Sequence, residues 1–180
     1  LKRREDHRLL TGNGVFVADI RLPGMLEVAL VRSQQAHGRI VAVDMAQARL
    51  MPGVELVLDG ADLVAELAPL AGMQVSAPPG WAQRVEHQVR LPSQPVLAVG
   101  KTHYVGEPLA VVVASDAYRA TDAAEKVAVD IQALPFVANA QLGRMRGATL
   151  LHDELDSNVL ARMAVAKGDV ADALARAPHR

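Results

Sequence analysis

The chain has 180 residues, of which 51% are hydrophobic and 22% are charged, and its formal net charge is −1. These are ordinary globular values, and a domain of this length removes roughly 70% of its unfolded surface from water. The near-neutral charge and an aromatic content of 3% argue against nucleic acid as a main partner, because such a surface needs clustered cations and stacking side chains. The sequence contains no cysteine, so this chain cannot build a disulfide, a thiolate zinc site or an iron–sulfur cluster.

The same composition bears on the compartment. The absence of cysteine fits a reducing environment, and we expect a cytoplasmic protein. No apolar run in the sequence approaches the ~20 residues of a membrane-spanning helix. No secretory signal is visible, although the sequence opens on Leu1 rather than on Met.

The start of the chain predicts turns followed by two strands. Gly12-Asn13-Gly14 is a run that tolerates positive φ. Leu22–Met25 carries Pro and Gly in the order of a tight turn. Leu26–Val31 and Arg39–Val43 are rich in β-branched and aliphatic residues, which is typical of strands.

A short helix and a third strand are predicted next. Asp44 has the side chain of an N-cap, and Gln47 stands where a capping-box partner would. The helix, Met45–Leu50, is expected to end before Pro52-Gly53. Val54–Leu58 then repeats the strand pattern.

The middle of the chain predicts a long irregular loop. A helical turn from Asp59 or Gly60 to Leu63 leads into Ala68–Pro95, which holds five of the chain's ten prolines. Proline fixes φ and removes a backbone donor, so regular structure is disfavoured there. The chain's single tryptophan, Trp81, indicates that part of this loop packs against something.

The second half of the chain predicts a strand, a helix and another strand. The run Leu109–Val113 fits a strand that is covered on both faces, and Ser115 is predicted to cap the following helix. That helix carries a stripe of small residues, which lets a helix lie close on a sheet; the stripe is Ala117, Ala120, Ala124 and Val127. Val127–Ile131 alternates as a half-buried strand does and ends at Leu134-Pro135. Residues past Gln141 are expected to be looser, apart from a helix over Asp169–Ala177.

Two glycine-containing motifs are candidate sites. Gly12-Asn13-Gly14 could cradle a phosphate, but the dinucleotide fingerprint needs a further glycine where Val17 stands and a preceding strand. We therefore interpret it as a structural turn. Gly106-Glu107-Pro108 could place a carboxylate in a cleft, but it is better interpreted as a tight turn into the buried strand, because proline favours an extended residue before it.

The histidines and serines form no catalytic or metal-binding pattern. Six histidines are scattered, and the polar cluster His152-Asp153-Glu154 lacks the spacing that places metal ligands on one face. The histidines are His7, His37, His87, His103, His152 and His179. The five serines include no Gly-x-Ser-x-Gly elbow. They are Ser33, Ser76, Ser93, Ser115 and Ser157.

Two longer blocks carry a resemblance to a known family. The first is Arg3–Ser33; the second, Lys101–Pro135, contains a Tyr-Val-Gly-Glu-Pro turn, a Val-rich strand, an Ala-rich helix and a strand ending in Leu-Pro. Together they resemble the molybdopterin-binding large subunit of the xanthine dehydrogenase, aldehyde oxidase and carbon monoxide dehydrogenase family. Shorter motifs fall in the family's order: Arg32-Ser33, Ala36-His37, Asp44, Pro52-Gly53-Val54, His152-Asp153-Glu154, Asn158 and Gly168-Asp169. The chain departs from the family at Gly38, Ile131, Gln132 and Asn139, where Ala, Tyr, Glu and an acidic residue are common.

The resemblance implies a fold and a place in a larger enzyme. It implies the α/β (α+β) class and an α/β-hammerhead, a mixed β-sheet with packed helices. Residues 1–140 would form this domain, and residues 141–180 would form a tail that leads toward molybdopterin-binding domains. The whole protein would be a molybdopterin-dependent oxidoreductase. Its molybdenum cofactor and catalytic Glu would lie on those later domains, and the iron–sulfur clusters and FAD on partner subunits or domains.

We assign no catalytic, cofactor-binding or metal-binding residue to this chain, and two hypotheses remain. In the first, the chain is a non-catalytic N-terminal domain that braces the cofactor domains and contacts the iron–sulfur and flavin partners of an oligomeric enzyme, with no nucleic acid and no membrane as partner. In the second, it is a free-standing binding or scaffold protein. The terminal segment Asp169–Arg180 stops where the family would enter its next domain, which favours the first. Continuation of the reading frame past Arg180 would separate the two.

Overall fold

The structure is a computed structural model that describes residues 3–64, 67, 85–90, 92, 94–165 and 168–178. The described chain contains short helices and strands, and a 3-10 turn, Val17–Asp19, lies between the first helix and the first strand. In chain order the elements are α1 (Asp6–Leu10), β1 (Glu27–Arg32), β2 (Gly38–Asp44), α2 (Ala46–Arg49), β3 (Val54–Asp59), α3 (Gly60–Val64), β4 (Val85–Val89), β5 (Lys101–Thr102), β6 (Pro108–Ala114), α4 (Ala117–Ala124), β7 (Ala128–Ala133), α5 (Ala140–Gly143), β8 (Ala161–Val165) and α6 (Val170–Arg176).

The strands form two three-stranded sheets and one pair, all antiparallel. The first sheet has the order β1-β6-β3, and the second has the order β5-β2-β7. Strand β4 pairs with β8, from Val85 opposite Val165 to Val89 opposite Ala161. The Val-rich run therefore becomes the central strand of the first sheet, where both neighbours satisfy its backbone.

The core lies between the first sheet and the two helices α2 and α4. Ala110 and Val112 of β6 are completely buried, as is Ala123 of α4. Helix α4 packs against β1 and β6, and small side chains allow this close approach. The buried cluster consists of Met45, Ala48, Val57, Ala110, Val112, Ala123 and Val127. The sequence prediction of a mixed α/β fold is confirmed by these sheets and helices.

Two predicted helix caps are wrong by one residue. Ser115 does not cap α4; Asp116 does, and its Oδ1 accepts a hydrogen bond from the Arg119 backbone N–H at 2.9 Å. The reason is competition, because the Ser115 hydroxyl accepts instead from the Arg119 guanidinium at 2.8 Å. Likewise Met45, not Asp44, is the N-cap residue of α2.

Asp44 still satisfies a backbone donor at the start of this helix. Its Oδ1 accepts from the Ala46 N–H at 2.9 Å. The four-residue helix has no side-chain cap at Met45, so the predicted capping box with Gln47 is not formed. Asp169, where the sequence predicts the last helix to start, is the N-cap of α6 and accepts from the Asp172 N–H at 2.9 Å.

The β4–β8 pair was missed from the sequence. Most of the predicted irregular loop Ala68–Pro95, including Trp81, lies outside the described residues. The prediction is wrong at Val85–Val89, and the expected looseness past Gln141 is wrong at Ala161–Val165. Each strand is short and is stabilised by a partner far away in the sequence, which local pattern cannot reveal. The pair joins the two segments that the sequence divided at residues 140 and 141, a division that stays a prediction.

Candidate functional site: a histidine and carboxylate cluster beside β5

A tight turn leads from β5 into β6. The Glu107 N–H donates to the Tyr104 carbonyl at 3.3 Å, and Gly106 has a φ of +91°. Positive φ at the third position of a turn is open to glycine and strained for most other residues. The turn is anchored on β1 because the Gly106 N–H donates to the Ser33 carbonyl at 2.7 Å. The positive φ of Gly106 therefore explains why glycine stands at this position of the predicted turn.

Glu107 turns its carboxylate inward and is bonded within the same loop. Its side chain is 11% exposed. One oxygen, Oε1, lies 3.0 Å from His103 Nδ1, and the other, Oε2, accepts from the His103 backbone N–H. A buried carboxylate is costly unless hydrogen bonds satisfy it. Glu107 is thus a buried carboxylate that also belongs to the turn. Its hydrogen bonds to His103 indicate that it stabilises the turn.

The His103 ring stacks on His152, which comes from the distant segment between α5 and β8. The ring centroids are 4.6 Å apart and the planes are inclined by 15°. Burial, and then the neighbouring His103, lower the pKa of His152 below its ordinary value of 6.5, while Glu154, Glu107 and Asp153 act in the opposite direction. The neutral form of His152 is therefore favoured in the folded protein.

A salt bridge lies beside the stacked rings. Lys101 Nζ is 2.6 Å from Asp153 Oδ1. This hydrogen bond is the largest of the causes that lower the pKa of Asp153 below its ordinary value. The carboxylate is exposed, so the bridge contributes little to stability by itself. It fixes the position of the His152-Asp153-Glu154 segment against β5.

Asn158 holds the same segment from the other side. Its side-chain oxygen accepts from the Leu151 N–H at 3.0 Å. Its amide donates to the carbonyls of Thr149 at 2.8 Å and Gly143 at 3.1 Å. One side chain thus satisfies three backbone groups, two in an irregular stretch and one at the end of α5, which explains why an amide is needed there.

A cavity of about 470 Å³ lies between β5 and the His152 segment. Its polar lining residues are Arg39, Lys101, His103, His152, Asp153 and Glu154. Two of these lining residues contact a carboxylate: Lys101 lies beside Asp153, and His103 lies beside Glu107. The arrangement can hold the two segments together, and it presents no activated nucleophile beside a free base.

The other sequence candidates lie apart from this cluster. At Gly12-Asn13-Gly14 only Gly12 has positive φ, +73°, and the Asn13 N–H donates to the Arg8 carbonyl at 2.9 Å, which ends α1. His37 is buried, with Nδ1 2.7 Å from the Pro135 carbonyl, and the Ser33 hydroxyl donates to the Gln35 carbonyl at 2.9 Å. Outside the described residues, or with undescribed side chains, are His87, His179, Ser76 and Ser93.

The sequence named His103, Glu107 and the run His152-Asp153-Glu154 among its candidates but did not bring them together, and it did not name Lys101 or Arg39 as site residues. His103 and Glu107 are four residues apart on a turn rather than on a helix, and His152 belongs to another segment. The one local signal is the Gly-Glu-Pro turn, which predicts where the Glu107 backbone bends but not where its carboxylate points. Among the described residues no helix is long and apolar enough to cross a membrane.

Comparison with known proteins gives the class to which this fold and site belong. Residues 11–135 match the family described as aldehyde oxidase and xanthine dehydrogenase, a/b hammerhead domain. The chain belongs to this family.

Three relatives illustrate the match. The chain is 38% identical over 177 residues to the 6-hydroxypseudooxynicotine dehydrogenase complex subunit gamma of Paenarthrobacter nicotinovorans, covering 98% of this chain and 21% of that protein. It is 43% identical to quinoline 2-oxidoreductase from Pseudomonas putida 86, with a TM-score of 0.75 over 89% of this chain and 19% of the other. It is 34% identical to the Cu,Mo-CO dehydrogenase, with a TM-score of 0.68 over 89% and 18% of the two chains. The chain thus spans about a fifth of the length of these oxidoreductases.

The described residues do not form a cradle for the molybdenum cofactor that the family implies. Within the described ranges no three His, Asp or Glu side chains cluster so that they could hold a metal ion. Around the cavity beside β5, Lys101 bonds Asp153 and His103 bonds Glu107. No catalytic step through that cofactor follows from the residues of this chain.

Proposed function

We propose that this chain is the non-catalytic hammerhead domain of the large subunit of a molybdenum hydroxylase, where it braces the cofactor-binding domains and contacts partner subunits. The observation that carries the proposal is the family match over residues 11–135 in a chain that spans only about a fifth of its relatives. The whole enzyme would be a molybdopterin-dependent oxidoreductase, with iron–sulfur and flavin groups on its partners.

The geometry of the His103–Glu107–His152 cluster supports this structural role. The cluster ties the segment around His152 to the strand β5 by stacking, a salt bridge and hydrogen bonds. These contacts fix the part of the chain that follows the family's matched residues. A domain that holds later parts of a subunit in place needs its C-terminal part to be fixed against the rest of the domain in this way.

The test compares the native complex with residues 1–180 expressed alone. We expect the complex, produced from the full reading frame, to contain stoichiometric molybdenum and to oxidise a substrate. We expect residues 1–180 to contain neither molybdenum nor flavin by metal analysis and absorbance. Stoichiometric cofactor on residues 1–180 would contradict the proposal.

The alternative is a free-standing binding or scaffold protein that uses the hammerhead fold. A reading frame that stops at Arg180, with a product that purifies without iron–sulfur or flavin subunits, would favour this alternative. Continuation of the frame into molybdopterin-binding sequence would exclude it.

A further inference from the structure

The face of the first sheet that points away from the core is an uninterrupted apolar surface. The strand registers place Val28, Val113 and Leu56 side by side in one row across the sheet. They place Leu30, Val111 and Leu58 in the next row. We call these six residues the outer apolar face.

Side chains on this face are exposed at Val28, Leu30 and Leu56 and half-buried at Val111, Val113 and Leu58. Val28 is 60% exposed and Leu56 is 46% exposed. On the opposite face of the same strands Val112 and Ala110 are completely buried under α4. The sheet therefore has one buried face and one face that is only partly buried, and both are apolar.

An antiparallel sheet that keeps one face in water normally alternates apolar and polar side chains. The second sheet does so. On its outer side Arg39 lies opposite Gln132, Ala42 opposite Asp130, and Asp44 opposite Ala128. The outer apolar face has no charged or polar member in either row, which is typical of a permanently buried surface rather than of a transient one.

We propose that the outer apolar face is covered by a later segment of the same large subunit, the part of the polypeptide that follows this domain. This inference rests on the proposed function. The relatives are about five times longer than the matched region, so most of the subunit's chain lies outside these residues. A segment tethered to the domain meets the face at a far higher effective concentration than a separate partner does.

The test is thiol labelling of the full-length subunit, with and without its partner subunits. Residues 1–180 contain no cysteine, so label on a peptide from this region reports only an introduced thiol. The test variants are Val28→Cys and Leu56→Cys, which place a small, weakly polar thiol at two positions of this face. The matched control is Ala42→Cys, on the polar outer side of the second sheet.

We expect Val28→Cys and Leu56→Cys in the folded large subunit to react more than about tenfold more slowly than in the urea-unfolded subunit, because labelling has to wait for local opening. Ala42→Cys should react at nearly its unfolded rate. Hydroxyl-radical oxidation of the unsubstituted subunit gives an independent measurement at Leu30 and Leu56, which does not depend on any variant folding correctly.

Three outcomes would overturn the proposal. Rapid labelling of Val28→Cys in both the large subunit and the complex would show an uncovered face. Protection that appears only when partner subunits are added would assign the face to a partner. Protection that depends on the concentration of the isolated large subunit would assign it to a second copy. Molybdenum content and turnover, measured on the same samples, report on the proposed function separately.

Discussion

The two three-stranded sheets share an antiparallel design but differ in what their outer faces present. The first sheet shows two rows of Val and Leu, whereas the second shows Arg39, Gln132 and Asp130 among alanines. Both sheets keep apolar side chains on their inner faces, so the difference is not required by the fold of this chain. It teaches that the hydrophobic pattern of a domain includes surfaces that the domain cannot bury by itself.

The largest expected effect comes from neighbouring residues on β6 that point to the two faces of the first sheet. In residues 1–180, Val112→Asp should abolish or nearly abolish folding, because an unpaired buried carboxylate costs several kcal/mol. Val113→Asp, on the half-buried outer face, should cost about 1 kcal/mol. Denaturant unfolding of both variants checks this, and equal losses would mean that the outer face is already core.

A substitution at Gly38 tests how tightly the inner face of the second sheet is packed. A Cβ added there would lie 2.3 Å from Ile131 Cγ2 and 3.1 Å from the Gln132 carbonyl oxygen. Gly38→Ala should therefore cost about 1–3 kcal/mol of unfolding free energy through overpacking. Both Gly38 and Ile131 are positions where the sequence departs from the family's common Ala and Tyr, and the structure places the two departures in contact.

This contact makes the Gly38 prediction sharper. Leu has no methyl group on Cβ, so Ile131→Leu should relieve most of the clash caused by Gly38→Ala. A double-mutant cycle should give a favourable coupling of about 1 kcal/mol. Additive effects would contradict the assignment of the clash to Ile131 Cγ2.

A smaller loss of stability is expected for substitutions in the turn that precedes β6. Gly106 has a φ of +91°, and no heavy atom lies within 4 Å of an added Cβ. Gly106→Val should cost about 1–3 kcal/mol from backbone strain alone. Gly106→Asn, which tolerates positive φ better, should cost less. An unchanged melting temperature for the valine variant would remove the argument from strain.

Still smaller effects are expected in the pH dependence of stability at the edge of the second sheet. Because the pKa of His152 is lowered in the folded protein, the unfolded chain takes up its proton first. Stability should therefore fall as the pH falls through 6.5, and the decrease should end once the pH is below the folded-state pKa. His152→Gln should flatten this part of the stability profile. An identical slope in the variant would assign the dependence to another group.

Asp153 should act in a more acidic window. Its lowered folded-state pKa means that its contribution is present above the ordinary value of 3.8 and is lost as the pH falls through the folded-state value. Lys101→Met removes the donor and should move the carboxyl pKa back up, which NMR titration of the Asp153 side chain would detect. An unshifted titration would mean that Lys101 is not the cause.

The sequence by itself determined the central elements and the family. The Val-rich run Leu109–Val113 and the alternation of Val127–Ile131 predicted β6 and β7, because burial on a sheet imposes these patterns locally. Gly106 before Glu107-Pro108 predicted the turn. The ordered motifs from Arg3 to Asp169 pointed to the family that the comparison then showed.

Tertiary structure decided what depends on distant neighbours. Pairing of β4 with β8, contact of Gly38 with Ile131 and stacking of His103 on His152 each join residues far apart in the chain. Short segments gain their stability from such partners rather than from local propensity. The two faces of the first sheet also depend on distant neighbours. The sequence makes both faces apolar, and packing against α4 decides which of them this chain buries.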